Sequence, residues 1–302
     1  MTTRSTANLE DLLEKTSRTF ALSIPVLPEP TRREVMIAYL LFRIADTFED
    51  ASHWPPEDRI AALADFKALL RNDDRPRAEA LARSWVDRNV ASHAGYRELM
   101  AETPFVLDAF FALSPGAVPP IREHVGRSAD GMASIVARTR DGSLTLHSVG
   151  ELQDYCYLVA GIVGEMLSEL FLLDRPALSG IAAYLRERAA TFGEALQLVN
   201  ILKDSDDDAE EGRRYLPEEV PKTEVFALAR RDLGVAGEYI RALQSVDAPR
   251  GIIEFTALPV LLAWAALERV EKHGPGSKVS RPEVFLITQR LKRALDRREP
   301  AV

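Results

Sequence analysis

The stretch Ser148-Val-Gly-Glu151-Leu152-Gln-Asp-Tyr155-Cys156-Tyr-Leu-Val159-Ala-Gly161-Ile-Val163-Gly164-Glu-Met166-Leu167-Ser-Glu-Leu170 decides the fold class. Its Ser148 and Glu151 have the spacing of a capping box, and apolar residues then recur at three- and four-residue steps, the period of a helix face. The same pattern extends outward in both directions. Thr31-Arg32-Arg33-Glu34 and Ser280-Arg281-Pro282-Glu283 read as two more capping boxes. Further helices are expected near 56–71, 76–89, 119–136, 178–209, 224–246 and 252–272, separated by Pro- and Gly-containing gaps such as Pro119-Pro120 and Gly274-Pro275-Gly276. There is no long linker and no repeat of solenoid period, so the expectation is an all-α protein with one domain over residues 1–302.

Composition narrows the function. The chain has 302 residues, 46% of them apolar, enough for a large core. A formal charge of −8 is the reverse of what a nucleic-acid binder carries, so no nucleic-acid partner is expected. The single cysteine, Cys156, excludes an intrachain disulfide and suits a cytoplasmic location. The N-terminus lacks the apolar core of a secretion signal. Ile252 to Leu267, about 16 residues interrupted by Glu254 and Pro259, falls short of the roughly 20 needed for a span and reads as a buried helix.

Two acidic clusters are the candidates for chemistry. Asp46 and Asp50 are four apart at the end of a helix that is otherwise almost wholly apolar, so their carboxylates share a face. Asn200, Asp204 and Asp208 follow at i, i+4 and i+8, a stripe roughly 80° wide. All are oxygen donors of the kind Mg²⁺ takes, and the five histidines are scattered without ligand spacing. A single such cluster reads equally well as solvated surface. Two clusters on apolar helices point to divalent cations that hold a diphosphate and stabilise it as a leaving group. Arg43, Lys203 and Arg213 lie beside them, either to bind the same phosphates or to balance the aspartates locally.

Read together, these segments resemble the squalene/phytoene synthase family over roughly residues 15–290. Ser17-Arg18-Thr19-Phe20 is similar to the family's S-R-[ST]-F segment. Tyr39-Leu-Leu-Phe-Arg43-Ile-Ala-Asp46-Thr-Phe-Glu-Asp50 resembles its first aspartate-rich motif. Tyr155-Cys156-Tyr-Leu-Val-Ala-Gly-Ile-Val-Gly164 resembles Y-C-x-x-V-A-G-x-V-G. Gln197-Leu-Val-Asn200-Ile-Leu-Lys203-Asp204-Ser-Asp-Asp-Asp208 resembles the second motif, with Lys203 and Asp207 in place of the usual arginine and glutamate. Gly212-Arg213-Arg214-Tyr215-Leu-Pro217 follows at the family's offset.

The resemblance implies a class I isoprenoid synthase helical bundle around a central apolar cavity. It implies Mg²⁺ on Asp46, Asp50, Asn200, Asp204 and Asp208, and diphosphate contacts from Ser17, Arg18, Phe20, Arg43, Gln197, Lys203, Arg213 and Tyr215. The implied reaction joins two farnesyl diphosphates head to head through presqualene diphosphate, with Tyr155 near the reacting carbons as a proton-transfer or cation-stabilising group. Phe20, Phe42, Tyr155 and Tyr157 are candidates to wall a dry cavity. Gly161 and Gly164 make room either for a prenyl chain or for close helix packing. Phe255-Thr-Ala-Leu-Pro259 and Ser277-Lys278-Val-Ser-Arg281-Pro-Glu283 are similar to squalene synthase segments, which favours squalene as product with Lys278 and Arg281 contacting NADPH.

The alternatives are dehydrosqualene, hydroxysqualene or phytoene without reduction, a class I terpene cyclase or head-to-tail elongase, and a non-catalytic relative. The basic segment from Arg290 to Glu299 suggests peripheral contact with anionic lipid, at the inner face of a cell membrane, or else a solvated terminal helix.

Overall fold

In the computed structural model, which describes residues 8–17, 19–139, 143–173 and 175–302, the chain divides into two compact units. These are Met1–Pro25 with Glu29–Arg138, and Val26–Pro28 with Thr139–Val302.

The first unit contains α1 (Leu9–Thr16), α2 (Phe20–Ser23), α3 (Thr31–Glu49), α4 (Pro56–Leu69), α5 (Arg75–Asp87), α6 (Ala94–Ala101), α7 (Thr103–Phe111) and α8 (Val118–Arg138). Its centre is α3, which packs against α1, α4, α6, α7 and α8. The reason is the run Val35 to Phe48: Leu40, Leu41, Ile44 and Phe48 are fully buried, each worth about 1.5–3 kcal/mol. The capping box expected at Thr31–Glu34 does not form. Pro30 takes the N-cap position, Thr31 is already helical and buried, and the Glu34 carboxylate accepts from Ser114 Oγ at 3.3 Å.

The second unit holds β1 (Leu144–Thr145), α9 (Val149–Cys156), a π-helical turn (Tyr157–Gly161), α10 (Ile162–Leu173), α11 (Ala182–Glu210), β2 (Arg213–Arg214), α12 (Lys222–Ser245), α13 (Arg250–His273) and α14 (Arg281–Asp296). At Ser280 the capping box is complete. At Ser148 the hydroxyl caps Glu151, whose carboxylate accepts from the backbone of His147 instead. At 29 residues α11 is the axis of this unit and packs against α9, the π turn, α10, α12 and α13. Val149–Leu173 and α13 are long and apolar enough, by length and composition, to cross a membrane. Their windows are 44% and 67% buried within the protein. In α13 this apolar character goes into the core, where thirteen of its residues are buried.

The two readings of the glycines are now separated. A Cβ at Gly164 would lie 1.9 Å from the Ala189 carbonyl oxygen, and one at Gly193 would lie 2.0 Å from that of Ala160. These approaches bring α11 backbone to backbone with α10 and the π turn, so Gly164 serves helix packing. At Gly161 the space that a Cβ would fill is taken by the Tyr157 ring and the Glu194 carboxylate, 2.8 and 3.1 Å away. Burial, together with Asp232, Glu165 and Asp154, pushes Glu194 up to about 7.

Gly164→Ala drives a methyl group into a carbonyl with no flexible side chain to yield. It should cost at least about 1–3 kcal/mol and lower the melting midpoint by several degrees in circular dichroism. Glu194 binds its proton more tightly folded than unfolded, where its usual value is 4.5. Its favourable contribution is therefore full below that value and is lost as pH rises towards 7. Glu194→Gln should melt higher than the parent at about pH 8, the gap closing by about pH 5. An equal gap at both would assign its effect to packing.

Candidate active site

In the first unit Arg43 and Asp46 lie on one side of the last turns of α3, and Asp50 is its C-cap. Arg43 and Asp46 pair at 3.4 Å, with side chains 26% and 28% exposed. The guanidinium lies 5.8 Å from the Tyr39 ring centroid and 5.5 Å from that of Tyr96. Burial alone would lower Arg43, but Asp46, Tyr39 and Tyr96 outweigh it and hold the cation firmly charged. Burial pushes Asp46 up to about 6, against the pull of Arg43 and with a further push from Asp50.

Tyr39 also ties the N-terminal segment to this group. Its hydroxyl donates to the Thr16 carbonyl at 2.8 Å, and its ring sits 5.5 Å from that of Phe20. Ser17 Oγ accepts from the Phe20 N–H at 2.9 Å. Ser17 and Phe20 are thus brought to the Arg43 side of the unit. Arg18 lies outside the described residues.

In the second unit the buried residues of α11 end at Leu202, and Asn200, Asp204 and Asp208 occupy its less buried C-terminal turns. Lys203 Nζ bridges Asn200 Oδ1 at 3.2 Å and Asp204 Oδ2 at 3.1 Å. Arg213 Nη2 reaches Asp208 at 3.3 Å and Glu211 at 2.6 Å. Burial raises Asp208, opposed by Arg213 and reinforced by Asp204 and Glu211. Gln197 is half-buried one turn before Asn200.

Arg213 is held by the chain's small parallel sheet, in which Leu144 pairs with Arg213 and Thr145 with Arg214. Gly212, at φ +80°, makes the left-handed turn from α11 into β2. One residue beyond β2, Tyr215 stacks on Tyr155 with centroids 4.5 Å apart, and the Tyr155 hydroxyl donates to that of Tyr215 at 3.0 Å. Tyr157 has different neighbours: its hydroxyl donates to Glu165 at 3.3 Å. The loop that carries Lys278 is fastened to α11, the Gly276 N–H donating to the Lys203 carbonyl at 2.7 Å.

Sequence reasoning passed over Tyr96, which is 53 positions from Arg43 and has no local signal. It also passed over Glu194, although a carboxylate within the apolar run Ala189–Leu202 was a visible one. The pairing of Leu144–Thr145 with Arg213–Arg214 was likewise unforeseen.

The donor sets suit Mg²⁺. Each offers oxygen ligands only, and in each a carboxylate is raised by burial that the neighbouring arginine only partly offsets, an environment that favours a divalent cation. Among the described residues no three His, Cys, Asp or Glu side chains form a closed cage.

Comparison with known proteins agrees with this geometry. The squalene/phytoene synthase family profile matches residues 13–225. The chain is 31% identical over 212 residues to the Botryococcus squalene synthase of Botryococcus braunii, covering 69% of this chain and 42% of that protein. It is 28% identical over 277 residues to the squalene synthase of Eremothecium gossypii, covering 86% and 60%. The chain therefore spans about half the length of these relatives. In structure it resembles ligand-bound TcSQS (TM-score 0.73, 24% identity, 96% of this chain and 88% of that one). It also resembles a dehydrosqualene synthase (TM-score 0.57, 22% identity, 96% and 95%). These likenesses show an all-helical isoprenoid synthase fold. Two acidic motifs on apolar helices, their cationic partners and the matched profile together make this chain a member of the squalene/phytoene synthase family.

Proposed function

We propose that this protein joins two farnesyl diphosphates head to head through presqualene diphosphate and completes a C30 hydrocarbon, squalene, in a reductive second step. The observation that carries the reading is the duplication of the acidic set, since a head-to-head condensation must handle two diphosphates. Arg43 accompanies Asp46 and Asp50, while Lys203 and Arg213 accompany Asn200, Asp204 and Asp208. The relatives named squalene synthase support the same choice.

Magnesium, held by those five oxygen-donor residues, would supply the positive charge that lets diphosphate depart. Arg43 and Arg213 present planar donors to phosphate oxygens, and Lys203 a point charge. Tyr155 donates a hydrogen bond to the Tyr215 hydroxyl, which holds its phenol in a fixed orientation. The stacked rings add a π face that favours positive charge by about 0.5–2 kcal/mol. Apolar side chains exclude the water that would quench a carbocation.

Lys278 and Arg281 are exposed and make no ion pair among the described residues, which suits a phosphate-bearing dinucleotide. NADPH would bring the hydride of the second step. The reading places the protein in the cytoplasm, against the inner face of the membrane.

The test is incubation with farnesyl diphosphate and Mg²⁺, with and without NADPH, and mass spectrometry of the hydrocarbons. Squalene only with NADPH is the expected result. Dehydrosqualene or hydroxysqualene in both tubes would remove the reductive step, phytoene from geranylgeranyl diphosphate alone would change the substrate, and no pyrophosphate release would overturn the reading. Asp50→Asn and Asp204→Asn should each slow pyrophosphate release by about 100-fold or more while leaving the melting midpoint near that of the parent.

A further inference from the structure

The inner side of α14 is anchored by buried Leu291, but Phe285 and Leu286 stand 62% and 52% exposed. Among the described residues they are the one adjacent pair of large exposed apolar side chains. Helical geometry puts Phe285, Leu286, Gln289, Arg290 and Arg293 on one face about 140° wide. The two acids of this region are already engaged. Glu283 takes Arg269 at 2.5 Å and Ser280, and Asp296 takes Arg250. Arg290 and Arg293 make no ion pair among the described residues. From Lys278 to Arg298 there are seven basic and two acidic side chains, in a chain whose total charge is −8. Of the basic side chains, Lys292 pairs with Glu254 and Arg297 with Glu299, while Arg290 and Arg293 share the face of the apolar pair.

We propose that this face of α14 docks on an anionic lipid surface. Phe285 and Leu286 enter the boundary between headgroups and acyl chains, and Arg290 and Arg293 meet the lipid phosphates. An apolar pair with unpaired cations one and two turns away is complementary to such an interface. A second copy is the poorer fit, because a two-fold contact through this face would crowd like charges across the axis.

The docking surface deepens the proposed function, on which only its purpose rests. The loop ahead of α14 is fastened to α11 at Lys203. Lipid contact through α14 therefore holds the Asn200–Asp208 end of α11 one loop away from the phase in which prenyl tails and a C30 hydrocarbon dissolve.

The experiment is co-sedimentation of the full chain with phosphatidylcholine vesicles, with or without about 30% phosphatidylglycerol, at low and high salt. The parent should bind the anionic vesicles, and salt should weaken the binding. Arg290→Gln and Arg293→Gln should each lower partitioning about fivefold. Phe285→Ser with Leu286→Ser should abolish it, while pyrophosphate release from detergent-dispersed farnesyl diphosphate stays at the parental rate. Undiminished binding by these variants, or no preference for anionic vesicles, would overturn the proposal. A parental dimer in sedimentation velocity that the serine variant dissociates would also overturn it, by assigning the face to a second copy. A protein that binds the vesicles as predicted but turns over no prenyl diphosphate would keep the docking surface and remove the enzymatic reading.

Discussion

Negative charge held where water is scarce is the constraint around which both units are built. Asp46 is raised at the end of an apolar α3, and Asp208 at the end of α11. Each carboxylate has one nearby cationic side chain, and neither cation restores it to the ordinary range. Replacing these acids by apolar residues would relieve the charge crowding, so stability does not explain their presence. Sites with a deficit of positive charge favour a multivalent cation and, through it, a phosphate ester, which is the role the proposed function gives them.

The second constraint is steric. The close approach of Gly164 to Ala189 and of Gly193 to Ala160 fixes α10 and the π turn against α11 with little freedom to slide. Tyr155 lies just before the π turn, and Asp204 lies about three turns beyond Gly193. The phenol and the acidic stripe are therefore indexed to the same helix packing. A side chain at either glycine would alter their relative placement as well as the packing.

Much of this was legible in the sequence because it is local. The expected helices at 119–136, 224–246 and 252–272 match α8, α12 and α13 to within about two residues, since apolar period and flanking prolines act over a few positions. The capping boxes show where local reading fails. Ser280 forms its box, whereas at Thr31 the preceding proline takes the cap position and burial claims the side chains. Tyr96 against Arg43, Tyr215 against Tyr155 and β1 beside β2 depend on the meeting of distant segments, which no periodicity records. That Asp46 and Asp50 share a face, as do Asn200, Asp204 and Asp208, was legible because spacing along one helix determines it. The raised pKa values of Asp46 and Asp208 were not, because burial is a property of the assembled fold.

The length of α11 has one more consequence. A helix accumulates partial negative charge at its C-terminus. Here that end carries Asp204, Asp206, Asp207, Asp208, Glu210 and Glu211, with no basic residue of its own in the last turn. Dipole and side chains oppose helix order together, no residue after Leu202 is fully buried, and the offset comes from the Lys203–Asp204 and Arg213–Asp208 pairs. The final two turns are thus held more by charge pairing than by burial. Any multivalent cation bound there acts as an electrostatic cap, so ligand binding and the order of these turns are thermodynamically linked.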